Sequence, residues 1–225
     1  MSLDTPIWSA LTSRHAALAI GDALALRYPA EISPFCATLD SSAASLAALA
    51  RLARPGETLL TAQAEPIRVP EGMHASFVAE IVQMAPAAEI AACADPRIVA
   101  LGREDAAEML ALATACNPGP FSLRAQDLGS FWGIRDGARL VAMAGERMKL
   151  PGHVEVSGVA THPEFRGRGL GALLSRFVAS KIAAAGETPF LHVLADNTAA
   201  ISVYRSIGFR ARRNLQFAAL ARDPA

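Results

Sequence analysis

Cysteine is scarce in this chain, and a surplus of either charge is missing altogether. The three cysteines, Cys36, Cys93 and Cys116, are odd in number, widely spaced and without a C-x-x-C pair. That pattern argues against a disulfide framework and offers no zinc-ligand set, so no metal is expected and a reducing, cytoplasmic setting is the natural one. Each sits among alanines or apolar neighbours, where a thiol behaves as a small hydrophobe rather than a nucleophile. Lysine plus arginine and aspartate plus glutamate both total 21. A non-specific nucleic-acid binder needs clustered positive charge to displace counterions; this balance gives no support for one, though it leaves room for local basic patches, and nucleic acid is not an expected partner. The first residues lack the basic start and apolar run of a signal peptide. No stretch approaches the ~20 apolar residues of a membrane span, so no membrane partner is expected either.

What is present is apolar material: 52% of the 225 residues are hydrophobic and 19% charged, enough for a packed core. The length suits two small domains. Residues 1–95, rich in Ala and Leu, read as a smaller α/β region. Helical spacing marks residues 12–26, ended by Tyr28-Pro29, and Asp40-Ser41-Ser42 can cap a helix over residues 43–54. Strands follow over residues 57–62 and 74–84. A linker over residues 86–96 leads to a second domain, residues 96–225. There the order is strand 98–101, helix 104–116, a hairpin of 131–135 and 139–148 turned by Asp136-Gly137, and strand 154–160. Helix 170–185, strand 190–194, helix 198–207 and strand 215–220 complete it. This order describes an α+β fold, an α/β/α sandwich with helices on both faces of a mixed sheet.

The most informative stretch joins an apolar strand to an amphipathic helix: Thr161-His162-Pro163-Glu164-Phe165-Arg166-Gly167-Arg168-Gly169-Leu170-Gly171. The first N–H groups of a helix have no internal partner and carry the positive end of its dipole. Glycines there remove the side chains that would hold an anion away from those amides. Arg166 and Arg168 add bidentate donors suited to phosphate. A nucleotide P-loop would end in Gly-Lys-Ser or Gly-Lys-Thr, which is absent. The spacing is also G-x-G-x-G rather than the G-x-G-x-x-G of a dinucleotide site. A flexible connector with solvated arginines is the bland alternative.

Arg166-Gly167-Arg168-Gly169-Leu170-Gly171 resembles the Q/R-x-x-G-x-G/A signature of the GNAT N-acetyltransferase superfamily. Residues 197–209, Asn197 through Phe209, resemble its second hallmark, N-x-x-A-x-x-x-Y-x-x-x-G-F. The element order from about residue 97 onward matches as well. The resemblance implies a splayed strand pair and acetyl-CoA as acyl donor, held by backbone amides of Arg166, Gly167, Arg168, Gly169, Leu170, Gly171 and Ala172. It implies that Val159, Ala160 and Thr161 bond the pantetheine, that Asn197 and Tyr204 also contact the donor, and that Tyr204 protonates the coenzyme sulfur. Asn197 reads equally as a helix N-cap, and Tyr204 as a core aromatic. The N–H of Val159 is the candidate to polarise the thioester carbonyl.

Glu155 lies four residues before Val159, which on a regular strand places the two on one side. Some histone-acetylating relatives carry a general-base glutamate at that distance from the loop. A carboxylate raised in pKa by burial would suit the role; pairing with Arg147 or His153 is the structural alternative, and the family also uses water chains. The expected activity is acetyl transfer to a primary amine of a small-molecule or amino-acid-like acceptor, with a non-catalytic acyl-CoA-binding or regulatory module as the other class. Phe121 and Trp132 are candidates for the acceptor pocket, beside the loop 117–122. Arg210, Arg212 and Arg213 could draw an acidic partner or form a solvated edge. The N-terminal region resembles the extra domain of glycine N-acyltransferase-like proteins, or a degenerate copy of the same fold. Lacking an arginine-glycine loop, it should bind no second cofactor; it could shape the acceptor pocket or a homodimer contact.

Overall fold

The computed structural model describes residues 2–116 and 119–223. In chain order the elements are α1 (Pro6–Leu11), β1 (Ile20–Gly21), β2 (Ala25–Arg27), β3 (Cys36–Thr38), α2 (Ala43–Leu52), β4 (Thr58–Gln63), β5 (Met73–Pro86) and β6 (Ile98–Leu101). Then come α3 (Ala106–Cys116), β7 (Phe131–Asp136), β8 (Arg139–Leu150), β9 (His153–Thr161), α4 (Leu170–Ala184), β10 (Thr188–Leu194), α5 (Thr198–Ser206) and β11 (Phe209–Arg222).

Turn and cap chemistry sets many boundaries. Ser42 accepts a bond from the Ser45 N–H at 3.2 Å and starts α2, as a serine N-cap should. Gly137 at φ 59° turns β7 into β8. The helix expected over residues 12–26 does not form. Asp22 instead accepts the N–H groups of Leu24 and Ala25 at 2.8 and 3.1 Å, a side-chain turn that competes with helix. Gly21, at φ 135°, brings the chain so close that a Cβ would lie 2.1 Å from the Ala25 oxygen. The result is the hairpin β1–β2, which with β3 makes a small three-stranded antiparallel sheet.

The main sheet has eight strands in the order β4-β11-β5-β10-β9-β8-β7-β6. Its neighbours are antiparallel except β9 and β10. Alternate residues of each strand feed opposite cores. Val154, Val156 and Leu191 pack beneath α4 and α5, with Leu174, Val178 and Ile201. Met143, Ala160 and Phe131 pack beneath α3 with Met109 and Leu112. Phe190 and Leu150 face α1 with Ile7 and Leu11. Helices thus cover both faces, the expected α+β sandwich. The division at residue 95 coincides with no break in the sheet. β5, from the N-terminal segment, is inserted between β10 and β11, and β4 extends the edge beyond β11. Residues 1–95 therefore complete the sheet of residues 96–225.

Candidate active site

The site begins with two irregularities in the β8–β9 ladder. Met143 pairs with Ala160 and Gly145 with Ser157, so the single residue Ala144 faces both Gly158 and Val159. Gly158 takes φ 61°, which its missing Cβ permits. Such a bulge leaves one residue outside the ladder, and it lies next to Val159. A second bulge compensates: Glu146 pairs with Val156 and Lys149 with Val154, so Arg147 and Met148 both face Glu155.

Beyond Glu155 the strand pair opens. β9 and β10 run parallel only through His153–Thr188, Val154–Pro189 and Glu155–Phe190. After that β10 follows β5, from Leu191–Met84 to Leu194–Ile81. The wedge between β9 and β10 is the expected splay. It leads to a cavity of about 360 Å³ lined by Val159, His192, Leu194, Asn197, Ala200 and Tyr204 on one side. Phe35, Ala62, Phe77, Ile81, Arg147, Met148 and Phe217 close the other.

At one end of the wedge, β9 runs into a short turn, Pro163–Phe165, and then the glycine-rich loop. Gly167 and Gly169 adopt φ 77° and 73°, and a Cβ on either would meet nothing within 4 Å. Glycine is needed there for the left-handed backbone rather than for crowding. Gly169 caps α4 without a side-chain bond, and the first helical bond is Leu173 N–H to the Gly169 carbonyl at 3.0 Å. The amides of Leu170, Gly171 and Ala172 have no partner within the helix. Arg166 and Arg168 are exposed, tethered only by 3.4 Å bonds to the carbonyls of Thr161 and Glu164, with Arg168 stacked on Phe165. A Cβ on Gly171 would lie 3.5 Å from Thr161 Oγ1 and 3.7 Å from Val159, so α4 starts directly against the end of β9. Free amides, two exposed guanidinium groups and a side-chain-free turn fit a diphosphate, and the adjoining wedge fits an extended chain with amide groups.

Asn197 caps α5, accepting the Ala200 N–H at 3.0 Å, and lines the cavity as well. Tyr204 stands two turns further along the same helix. Its ring packs edge-on against Phe209 at 6.5 Å, and its hydroxyl has no hydrogen-bond partner among the described residues. Burial, then the Glu155 charge, pushes that hydroxyl up to about 12, which keeps the proton on it at neutral pH.

Glu155 differs from its expected role in two ways. The bulge at Gly158–Val159 shifts the alternation, so Val159 joins Val154 and Val156 beneath α4. The carboxylate of Glu155 lies on the opposite face. It is fully buried and every lone pair is engaged. Arg147 grips it through Nε and Nη2 at 2.8 and 2.7 Å, His192 Nδ1 lies at 2.7 Å, and the Met148 N–H, freed by the second bulge, donates at 3.3 Å. Burial alone would raise its pKa, as expected of a general base. The Arg147 charge, the Arg147 bonds and the His192 bond overcome that and hold it well below the usual carboxylate range.

The network continues inward. Arg212 donates to Gln83 Oε1 at 2.8 Å, and Gln83 Nε2 donates to the Leu3 carbonyl at 2.9 Å, which fixes the amide's orientation because arginine only donates and a carbonyl only accepts. Gln83 Nε2 must then also donate to His192 Nε2, 3.0 Å away. His192 accepts there and carries its hydrogen on Nδ1, toward Glu155. A chain of defined donors thus runs from the cavity wall to the N-terminal segment.

The structure brings Val159, Asn197 and Tyr204 to one cavity, next to Thr161 and the glycine-rich loop, and adds Arg147, His192, Phe35, Phe77 and Phe217. Trp132 packs against Phe177 and Phe121 against Phe131 instead. Asn117 and Pro118, in the loop expected near the acceptor, lie outside the described residues. Arg212 and Arg213 pair with Asp4, and Arg210 bonds backbone carbonyls. Cys36 is buried, its thiol pushed up to about 12 by burial; Cys93 and Cys116 are half-buried. Among the described residues no cluster of three or more His, Cys, Asp or Glu has metal-site geometry, and no helix is long and apolar enough to cross a membrane.

A splayed parallel pair, a bulge beside the splay and an uncapped glycine-rich helix start are the features that the resemblance ties to acyl-coenzyme A. The chain is 40% identical to a crystal structure from Novosphingobium aromaticivorans that bears the name of a GNAT-family acetyltransferase, over 99% of both chains with a TM-score of 0.93. The protein belongs to the GNAT family. Residues 131–218 match the family model of FR47-like proteins. The N-alpha-acetyltransferase RimI of Mycobacterium tuberculosis is 38% identical over 81 residues, 35% of this chain and 50% of that relative. The match thus spans about half the length of that curated relative. A GCN5-related N-acetyltransferase from Kribbella flavida, at 16% identity, shares the fold over 96% of each chain with a TM-score of 0.60.

Proposed function

We propose that the protein is an N-acetyltransferase that moves an acetyl group directly from acetyl-CoA to the primary amine of a small, amino-acid-like acceptor. The observation that carries this is the continuity of one wedge: uncapped α4 amides at one end, Val159 beside the bulge in the middle, and Tyr204 in the lining of the same cavity. In this reading the amides of residues 167–172 with Arg166 and Arg168 hold the diphosphate. Val159, Ala160 and Thr161 pair with the pantetheine, and Asn197 contacts it with the half of its amide not used for capping. Acetyl-CoA supplies an activated thioester; a C–N bond forms as the C–S bond breaks.

The Val159 N–H polarises the carbonyl. Tyr204 gives its proton to the departing sulfur, a role its high pKa suits. The attacking amine must first shed its extra proton. Among the described residues the cavity lining contains no aspartate or glutamate, and Glu155, just behind it, has no lone pair free. Desolvation without a countercharge lowers an amine's pKa, so the cavity favours the neutral nucleophile without a dedicated base. Glu155 then serves to position Arg147 and His192. Holding the reactants in line supplies up to roughly 7–11 kcal/mol.

The likeness to RimI, named an N-alpha-acetyltransferase, supports an α-amine as the acceptor group. The test combines calorimetric titration with coenzyme A and a screen of amine acceptors with acetyl-CoA, following thiol release. Micromolar coenzyme binding and amine-dependent release are expected. No measurable affinity for coenzyme A would overturn the proposal; binding without release on any amine would make the protein an acyl-CoA-binding module.

A further inference from the structure

Arg147 spends only one edge of its guanidinium on Glu155. Nε and Nη2 make the two bonds to the carboxylate, while Nη1 has no hydrogen-bond partner among the described residues. The group stacks over Phe35 at 4.9 Å, its side chain is 16% exposed, and it lines the same cavity as Val159 and Tyr204. The Glu155 grip and the Phe35 ring fix the plane of the group, so an incoming anion meets a donor edge already oriented and largely desolvated. Phe77, Ile81, Met148 and Phe217 surround the rest of that space with apolar surface. Among the described residues no other lysine or arginine lines the cavity, and no carboxylate does.

Resting on the acetyltransferase reading, we infer that Arg147 is a specificity-determining residue that binds a carboxylate of the acceptor, so that the preferred substrate is a free amino acid with a large apolar or aromatic side chain. A carboxylate on Nη1 takes charge-assisted bonds in an already dry site, where they are strongest. A diamine or lysine side chain finds no countercharge in the lining. An apolar side chain fits the phenylalanine-rich wall, and the amine is left to face the wedge. A peptide N-terminus shares the α-amine but has an amide where the carboxylate would be.

The experiment measures coenzyme A affinity by calorimetry and, separately, kcat/KM for thiol release from acetyl-CoA with phenylalanine, phenylalanine amide and phenethylamine. Phenylalanine is expected to exceed both analogues by about ten- to a hundredfold, the range of a charge-assisted bond pair. Because Arg147 alone cannot be removed without stranding a buried carboxylate, the matching variant is the pair Arg147→Gln with Glu155→Gln. It should bring the three acceptors to within about threefold of one another, and that ratio does not depend on any general loss of rate. Equal use of phenylalanine and phenethylamine by the native protein, a preference that survives in the double variant, or coenzyme binding with no release on phenylalanine would each overturn the inference while leaving acyl-CoA binding intact. Absence of coenzyme A binding would instead overturn the reading beneath it.

Discussion

The two ends of the wedge are built on opposite principles. The glycine-rich loop is open and loosely held; the recognition elements proposed for it are backbone amides, and its two arginines make only long bonds to nearby carbonyls. The far wall of the cavity is closed and tightly bonded, with Arg147, Glu155, His192 and Gln83 locked to one another across four strands. One end is made by a contiguous stretch of sequence that keeps side chains away. The other is made by residues far apart in the chain that hold each other in place. Damage should therefore spread differently. The largest expected effect is on the closed end: Glu155→Leu strands the Arg147 charge and should cost about 3–5 kcal/mol of stability. Adding Arg147→Met should recover most of that loss, since a matched apolar pair leaves no buried charge. Urea unfolding of the single and double variants checks both statements, and equal stabilities for the two would contradict them.

The next contrast lies within the cavity. Tyr204→Phe keeps the ring against Phe209 and removes only the hydroxyl, so coenzyme A affinity should change less than threefold while kcat falls about a hundredfold, at the low end for a lost proton donor. A fall in affinity with unchanged kcat would make Tyr204 a packing residue. At the open end, Gly169→Ala forces a side chain into a left-handed conformation, costing about 1–2 kcal/mol of stability. It also adds a methyl group to the open side of the turn where an anion would approach, so coenzyme A affinity should drop about tenfold by calorimetry. If the affinity holds, the α4 amides are not the anion site.

This asymmetry explains what could be read from the chain before its structure. The loop, the Asn197 cap and Tyr204 belong to short contiguous motifs whose chemistry is local. The eight strands of the main sheet were visible for the same reason, as apolar runs bounded by turn residues such as Asp136-Gly137 and Pro151-Gly152. Glu155 drew notice, but its environment depends on two bulges, and neither Ser157-Gly158 nor Arg147-Met148 announces one. A single inserted residue reverses which face a side chain occupies. The same limit hid Phe35, Phe77 and Phe217, since nothing local says that β5 will enter the sheet between β10 and β11. Removing residues 1–95 to probe their part in acceptor choice would take out that central strand and so would test folding instead.

The smallest effect sharpens the comparison outside the wedge, where a histidine is buried without a charged partner. His15 bonds Tyr28 through Nδ1 at 2.9 Å and is almost inaccessible. Burial first, then the nearby Lys149 charge, lower its pKa from 6.5 to about 4. The unfolded chain therefore takes up a proton below pH 6.5 that the folded protein refuses until about pH 4. Stability is complete above the unfolded value and is lost as pH falls through this window, by about 1 kcal/mol between pH 7.5 and 5.5. Glu155 adds nothing over that range, because its own loss begins only below the ordinary carboxylate value of 4.5. Denaturant titrations at the two pH values, on the native protein and on His15→Gln, isolate the contribution: the variant should start less stable and show a flatter slope. An unchanged slope in the variant would assign the acid sensitivity to other groups.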